Sequence, residues 1–502
     1  MQDLTPRMRE MVAASTIRSK RDNAGNDNIQ LANVRGRPTA VQAGAGKQGA
    51  QAPIPATTFS AMKTVCDLSQ RQTEQLMQTV RREVGKGAVE PGAREVFRQQ
   101  GRALQDLFEV RMLTFQTGNA QAPRVQKPCV VCTNIKHLID FVCQKRGIGE
   151  HFVRFGLDGG GGFLKACVSI LPSSSPAMPQ QVTFPAKRRG PEAYSNSGIK
   201  KLIIVGLVND LPELYENVKQ LLDAIGLKSL SFFTMAMDMK LGNICLGLQS
   251  HASKHPCAWC EGSAPWSVPA RPRTLGRLRE CVSNFKAHGE RKGDSSKYFN
   301  VIHEPLLDGA DHEDVLTYYP PPELHLLLGG TNKLVAELNT RWGNDQAFQW
   351  LQKKGIHRAD YRGGQFEGNQ CRLILEKAKD LGLVLPSHLK GYANALDCLR
   401  EVKNACFSHA LAPDYAQKIL DFKMAYCQLG LSVTPKMHAL FQHVPEYCSR
   451  TQKGLAIVSE QTSEAVHHDF KRTWARFKVH EKHTEFPNKL LSAVVNYNSF
   501  HI

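Results

Sequence analysis

The chain has 502 residues, 42% of them hydrophobic and 22% charged. That is room for two to four domains around a sizeable core. No apolar run approaches the roughly 18 residues that span a bilayer, and the first residues, MQDLTPRMREMVAAST, lack the apolar stretch of a secretory signal. Lys and Arg (64) outnumber Asp and Glu (46), a net charge of +18 that points to a polyanionic partner, nucleic acid first among them.

Residues 1–57 are rich in Gly, Ala, Gln, Asn, Pro and Arg and are expected to be a disordered basic tail. It contains RGRP, whose Arg35 and Arg37 suit the narrow, electronegative minor groove of A·T-rich DNA; a plain basic linker reads the same way. The basic runs at 18–21 (RSKR) and Lys187-Arg188-Arg189 agree with nuclear import.

Residues 58–150 are predicted to be a helical DNA-binding or dimerisation region. LSQRQTEQLMQTVRREV opens on Ser69 as an N-cap, and AREVFRQQGRALQDLFEVRML continues with apolar spacing near 3.6. Cys129, Cys132, His137 and Cys143 approach a zinc-knuckle spacing. The run IKHLIDFVCQKRG, however, reads as an amphipathic helix that scatters them, so no metal is expected there.

From residue 151 the pattern changes. HFVRFGLD and FLKACVSIL are predicted strands joined by the glycines 159–162, QQVTFPA is a further strand, and KKLIIVGLV is a short buried one. LPELYENVKQLLDAIG reads as an amphipathic helix opened near Pro212 and closed by Gly226, and SLSFFTMAMD as a strand ending on Asp238. Residues 240–455 read as mostly helical, and SEQTSEAVHHDFKRTWARF as a final amphipathic helix within 456–502. This order predicts an α/β fold. An RNase H-like core (151–239, completed by 456–502) is interrupted by a large, mostly helical insertion (240–455).

In that topology Asp158, Asp238 and Glu464 occupy the places of three metal-holding acids: first strand, end of a later strand, late helix. Carboxylates are the ligands that Mg²⁺ or Mn²⁺ prefers, and two such ions can drive phosphodiester cleavage. Separately, HPCAWC offers Cys257 and Cys260. With His438 and His443, five apart on a predicted helix, they would make a Cys₂His₂ set for a structural Zn²⁺ with no position left for reactive water, although many such pairs taken separately bind nothing.

At these residues the chain resembles the Transib superfamily of DNA transposases and the catalytic core of the V(D)J recombination-activating nuclease. The likeness runs over roughly residues 150–502. LDGGGG carries Asp158, and Asp238 lies 19 residues before Cys257 of HPCAWC. LHLLLGGTNK contains His325, MHALFQHVPE carries His438 and His443, and SEQTSEAVHHDFKRTW carries the last acid. There the Glu standing six before Phe470 selects Glu464 over Glu460. The resemblance implies an endonuclease and strand transferase that cuts double-stranded DNA at element ends through hairpin intermediates. It implies a homodimer in the nucleus, with a second protein subunit as a candidate partner and Phe407 as a candidate for the aromatic that steadies the hairpin. Two other functions stay open: a hAT-like transposase, and a transposase-derived DNA-binding protein without catalysis. A basic scaffold with chance motifs is the remaining reading.

Overall fold

The computed structural model describes residues 53–56, 58–59, 62, 70–118, 122–173, 201–249, 253–266, 268–359, 364–499 and 501–502. Ser69, the expected strand QQVTFPA, the RGRP motif with Arg35 and Arg37, and both basic runs proposed for nuclear import lie outside the described residues. The chain divides into two units, Met1–Leu104 and Gln105–Ile502.

In the first unit, helices α1 (Gln70–Val84) and α2 (Ala93–Gln105) frame a small core of Ala56, Phe59, Leu76, Met77, Val89 and Ala93. Arg94 holds Glu74 across the pair at 2.9 Å.

The second unit is built on a six-stranded mixed sheet in the order β1-β2-β5-β4-β3-β6. Its strands are β1 (Phe108–Gln116), β2 (Arg124–Cys132), β3 (His151–Asp158), β4 (Phe163–Pro172), β5 (Ile203–Asn209) and β6 (Thr234–Met235). Neighbours from β1 to β3 pair antiparallel, and β3 pairs parallel with β6. β4 and β5 are buried almost end to end, as continuous apolar runs are when both faces of a sheet are covered. Two helices claim those faces. Leu221 and Ile225 of α4 (Tyr215–Ile225) press on Gly206, which is level with Ala166, so α4 lies on that side. Gly156 is level with Cys167, on the opposite side by strand alternation, and meets Ser463 of the late helix Gln461–Phe477.

Two expectations change here. The region 58–150 is not helical throughout: α2 stops at Gln105, and the β1–β2 hairpin follows, extending the sheet beyond β5. The helical pattern holds over Ala93–Gln105, and from Leu113 to Gln116 apolar and polar residues alternate as in a strand. The strand expected over SLSFFTMAMD shrinks to Thr234–Met235, and Asp238 becomes the N-cap of a short helix, α5 (Met239–Cys245), its Oδ1 accepting from the Leu241 N–H at 2.7 Å. The helix expected at IKHLIDFVCQKRG is α3 (Ile135–Arg146), capped by Asn134 and closed by a left-handed Gly147.

Between Asp238 and Glu464 the described residues are mainly helical. The helices of this stretch include α6 (Leu275–Ala287), α7 (Glu323–Trp342), α8 (Gln346–Lys353), α9 (Gly368–Glu376), α10 (Lys390–Cys406) and α11 (Val444–Thr451), and α12 (Gln461–Phe477) and α13 (Phe486–Ser499) follow. Asn498 of α13 hydrogen-bonds both backbone groups of Ile204 at 2.8 Å, fixing the C-terminal helix to β5.

Candidate active site and metal centre

Asp158 stands where β3 leaves the sheet, and the parallel register with β6 pairs Phe155 with Met235. Asp158 and Asp238 each lie three residues further on, so both carboxylates reach the same rim. α12 crosses beneath, because Gly156 lets Ser463 approach the strand backbone; a Cβ there would stand 2.1 Å from Ser463 Oγ. That approach brings Glu464 to the same opening. Asp158, Asp238 and Glu464 thus line one cleft of about 750 Å³, together with Glu213, His325 and His467. Gly159 and Gly160 form its lip. A Cβ on Gly159 would strike the Glu213 carboxylate and one on Gly160 the His467 ring, each at 2.1 Å.

Within the cleft Asp158 is tightly held. Its Oδ2 lies 2.7 Å from His467 Nδ1 and 3.3 Å from Lys165 Nζ, and accepts from the Gly160 N–H at 3.2 Å. Burial pushes the Asp158 carboxyl up to about 6, against the pull of Lys165 and Gly160. Lys165 comes from β4, directly opposite Asp158 in the register, and also donates to the carbonyls of Gly160 and Phe163. Burial lowers its pKa, and Asp158 opposes that fall. The signal for Lys165 was present in the sequence: a lone cation inside the apolar run FLKACVSIL.

The two glutamates of SEQTSEAVHH separate clearly. Glu460 is 1% exposed, and its Oε1 accepts from both the backbone N–H of His325 (2.9 Å) and His325 Nδ1 (3.1 Å). Glu464 faces the cleft and meets His325 Nε2 at 3.3 Å. His325, on the first turn of α7, therefore bridges a buried and a cleft-facing carboxylate. Burial lowers its pKa, but Glu460 first and then Glu464 and Asp238 outweigh that and raise it. Phe407 does not line this cleft. It is buried beside a neighbouring recess of about 520 Å³ with Lys403 and His409, and that recess shares Arg372 and Gln461 with the cleft.

The second site joins distant segments. Cys257, Cys260, His438 and His443 place their ligand atoms within 4.8 Å of one another, and among the described residues this is the one group of three or more Cys, His, Asp or Glu to do so. The three cleft acids do not converge to that degree. A tetrahedral zinc with sulfur at about 2.3 Å and nitrogen at about 2.0 Å has N–N edges near ~3.3 Å and S–N edges near ~3.5 Å. Here His438 and His443 Nε2 are 3.2 Å apart, Cys257 Sγ is 3.3 Å from His443, and Cys260 Sγ is 3.3 Å from His438. The group could bind a metal such as zinc.

The surroundings aim these ligands. Arg273, fully buried, donates to the carbonyls of Cys257 (3.1 Å), Cys260 (3.0 Å) and Phe299 (2.9 Å), which folds the CxxC turn around its guanidinium. Trp266 stacks on His438 with ring centres 3.9 Å apart, and Glu446 lies 3.5 Å from His443 Nδ1, as an outer partner that orients a ligating imidazole does. The thiol of Cys257, followed by contacts to His438 and His443, holds Cys260 far below the usual thiol range. A spacing of five would turn two side chains about 140° apart on an α-helix. The chain instead makes a π-turn over Ala439–His443, and the wider turn brings both imidazoles to one side.

The other cysteine pair forms no such group. Cys129 and Cys132 are three apart on β2, so alternation sends them to opposite faces; both are buried, and His137 is exposed. Burial pushes both thiols up to about 12, which suits inert core residues.

No protein-family model matches the chain, and no curated protein matches it.

Proposed function

We propose that this chain is a DDE-type DNA transposase or recombinase, or a descendant of one, whose RNase H-like core cuts DNA at the cleft of Asp158, Asp238 and Glu464. The observation that carries the reading is the convergence of three acids, from β3, from the cap after β6 and from α12, on one cleft. The strand order β5-β4-β3-β6, antiparallel and then parallel at its last pair, agrees with that core. The net charge of +18 agrees with a double-stranded DNA partner in the nucleus.

In this reading Asp158, Asp238 and Glu464 hold two hard divalent ions, Mg²⁺ or Mn²⁺. Bound there, the ions supply an activated water and neutralise charge on the leaving oxygen. Lys165 and His467 fix the Asp158 carboxylate from behind and beside. His325, anchored on buried Glu460, orients Glu464. Gly159 and Gly160, with no Cβ, leave room for the Glu213 carboxylate and the His467 ring beside Asp158. The first cut leaves a 3′-hydroxyl whose attack on the opposite strand forms the hairpin end that the Transib-like reading implies, and a homodimer would pair two such ends. Zinc on Cys257, Cys260, His438 and His443 would be structural, because protein fills all four positions.

One observation favours a second reading, a DNA-binding protein that no longer cuts: Asp158 is already partnered by His467 and Lys165. The test is Mn²⁺-dependent nicking of supercoiled plasmid by the purified protein beside Asp158→Asn. The nuclease reading expects nicking that falls about 100-fold or more in the variant. Equal nicking by both overturns the triad, and nicking by neither supports the binding protein.

A further inference from the structure

The acid cleft opens sideways into a recess of about 750 Å³, with which it shares His325, Leu328, Gln365 and Phe366. The two compartments carry opposite charge. Described residues lining the cleft include Asp158, Glu213, Asp238, Glu367 and Glu464 against a single Arg372. Those lining the recess include Lys333, Arg358 and Lys436 and no Asp or Glu.

Each cation is placed by its surroundings. The guanidinium of Arg358 lies over the Phe348 ring, 4.2 Å from its centre, and borders Gly364, where a Cβ would stand 3.6 Å from Arg358 Nη1. The stem of Lys436 rests on α7 at Gly329, where a Cβ would stand 2.5 Å from Lys436 Cδ. Lys333 projects from the same helix one turn further along and meets Glu337 at 2.7 Å, in a pair about one third exposed that solvent weakens. Among the described residues, neither Arg358 nor Lys436 has a carboxylate within ion-pair distance. Asn332 gives the wall its shape by bonding Phe366 in both directions, its Nδ2 to the carbonyl at 3.0 Å and its Oδ1 from the N–H at 2.8 Å.

A wall of three cations and an aromatic ring suits phosphate oxygens and the sugars between them, whereas the adjoining acids would repel a phosphate unless cations covered them. We propose that this recess binds the phosphodiester backbone of the DNA strand adjoining the bond cut in the cleft, through Lys333, Arg358 and Lys436. The proposal rests on the nuclease reading of the cleft. It assigns the acids to the reacting phosphate and the recess to its neighbours, which sets the direction in which the strand leaves the active site.

The test measures the affinity of the full chain for a fluorescein-labelled duplex and for its single strand across a salt series, with a fixed concentration of Ca²⁺ in place of Mg²⁺ or Mn²⁺ to cover the acids. Wild type is compared with the pair Lys333→Gln/Arg358→Gln. Each lost phosphate contact should lower the salt slope by about 0.7–0.9, so the pair should lose about 1.4–1.8 and bind about 25–60-fold more weakly at 0.1 M salt. The charge-keeping pair Lys333→Arg/Arg358→Lys should retain the wild-type slope. If the double Gln variant does not fold, Lys333→Gln alone should show the single-contact loss. An unchanged slope in folded Gln variants overturns the recess while Asp158→Asn nicking decides the cleft independently. Wild type without salt-dependent DNA binding sinks both. Pyrophosphate binding that the variants lose, with the DNA slope intact, would make the recess a site for free phosphate and overturn strand binding.

Discussion

At the scale of single residues, the second unit tolerates charged groups inside only where another charge or a carbonyl meets them. Arg154 is 1% exposed and donates to the Ile457 carbonyl, Ser169 and Thr462, tying β3 to β4, to the segment before α12 and to the first turn of α12. Glu323, 2% exposed, accepts from Gln461 and lies 3.8 Å from Arg372. Burial, reinforced by the negative charge of Glu460, raises the Glu323 carboxyl to about 7 from 4.5. A carboxyl raised on folding contributes stability that is fully present below its unfolded value and is lost as pH rises through its folded one. The native protein should therefore lose stability between about pH 4.5 and 7 through this group, by on the order of 3 kcal/mol. Glu323→Gln cannot ionise. In urea unfolding it should be more stable relative to wild type at pH 8 than at pH 5. A constant difference across that range would mean that Glu323 is not neutral in the fold.

At the scale of elements, the decisive contact is that of α12 with β3. The helix delivers Ser463 to Gly156, Glu464 to the cleft and His467 to Asp158 within little more than one turn. Side chains at i, i+3 and i+4 share a helix face, which is why one docking event places all three. Gly156→Ala would put a methyl 2.1 Å from Ser463 Oγ, 3.0 Å from its Cβ and 3.3 Å from the Ala236 carbonyl, so strand and helix must separate. The expected cost is about 1–3 kcal/mol, read as a fall in denaturation midpoint, together with a loss of nicking as Glu464 withdraws. Adding Ser463→Gly should restore part of both. Stability regained without any effect of Gly156→Ala on nicking would separate the helix from the chemistry.

At the scale of the whole chain, the Cys and His ligands tie segments 178 and 186 residues apart. Between them lie α6 to α10, so a metal bound there would close the helical region on itself just before α12. Closing so long a loop removes much entropy from the unfolded chain, on the order of 4–5 kcal/mol by analogy with a disulfide. His438→Ala, or treatment with a zinc chelator, should reduce bound zinc to background and lower Tm by about 5–10 °C. Metal content and Tm both unchanged would remove the zinc assignment. Because α11 and the segment leading to α12 follow directly from His443, zinc loss should also blunt nicking even with excess Mn²⁺.

The sequence by itself determined what depends on residues a few places apart. β3, β4 and β5 were legible as apolar runs, α3 and α4 as periodic segments, the latter closed by Gly226, and Cys257/Cys260 and His438/His443 as two candidate ligand pairs that the family resemblance joined. The tertiary structure decided what depends on residues far apart. The β1–β2 hairpin joins the sheet because Cys129, Val130 and Val131 meet Val208, Leu207 and Gly206 of β5, a pairing no local period encodes. Lys165 serves Asp158 only through cross-strand register, and Glu460 parts from Glu464 only because His325, some 135 residues earlier, stands between them. Periodicity and caps act within one or two turns of chain and are written locally, whereas register, burial and the company of a carboxylate are fixed when distant segments pack and exclude water.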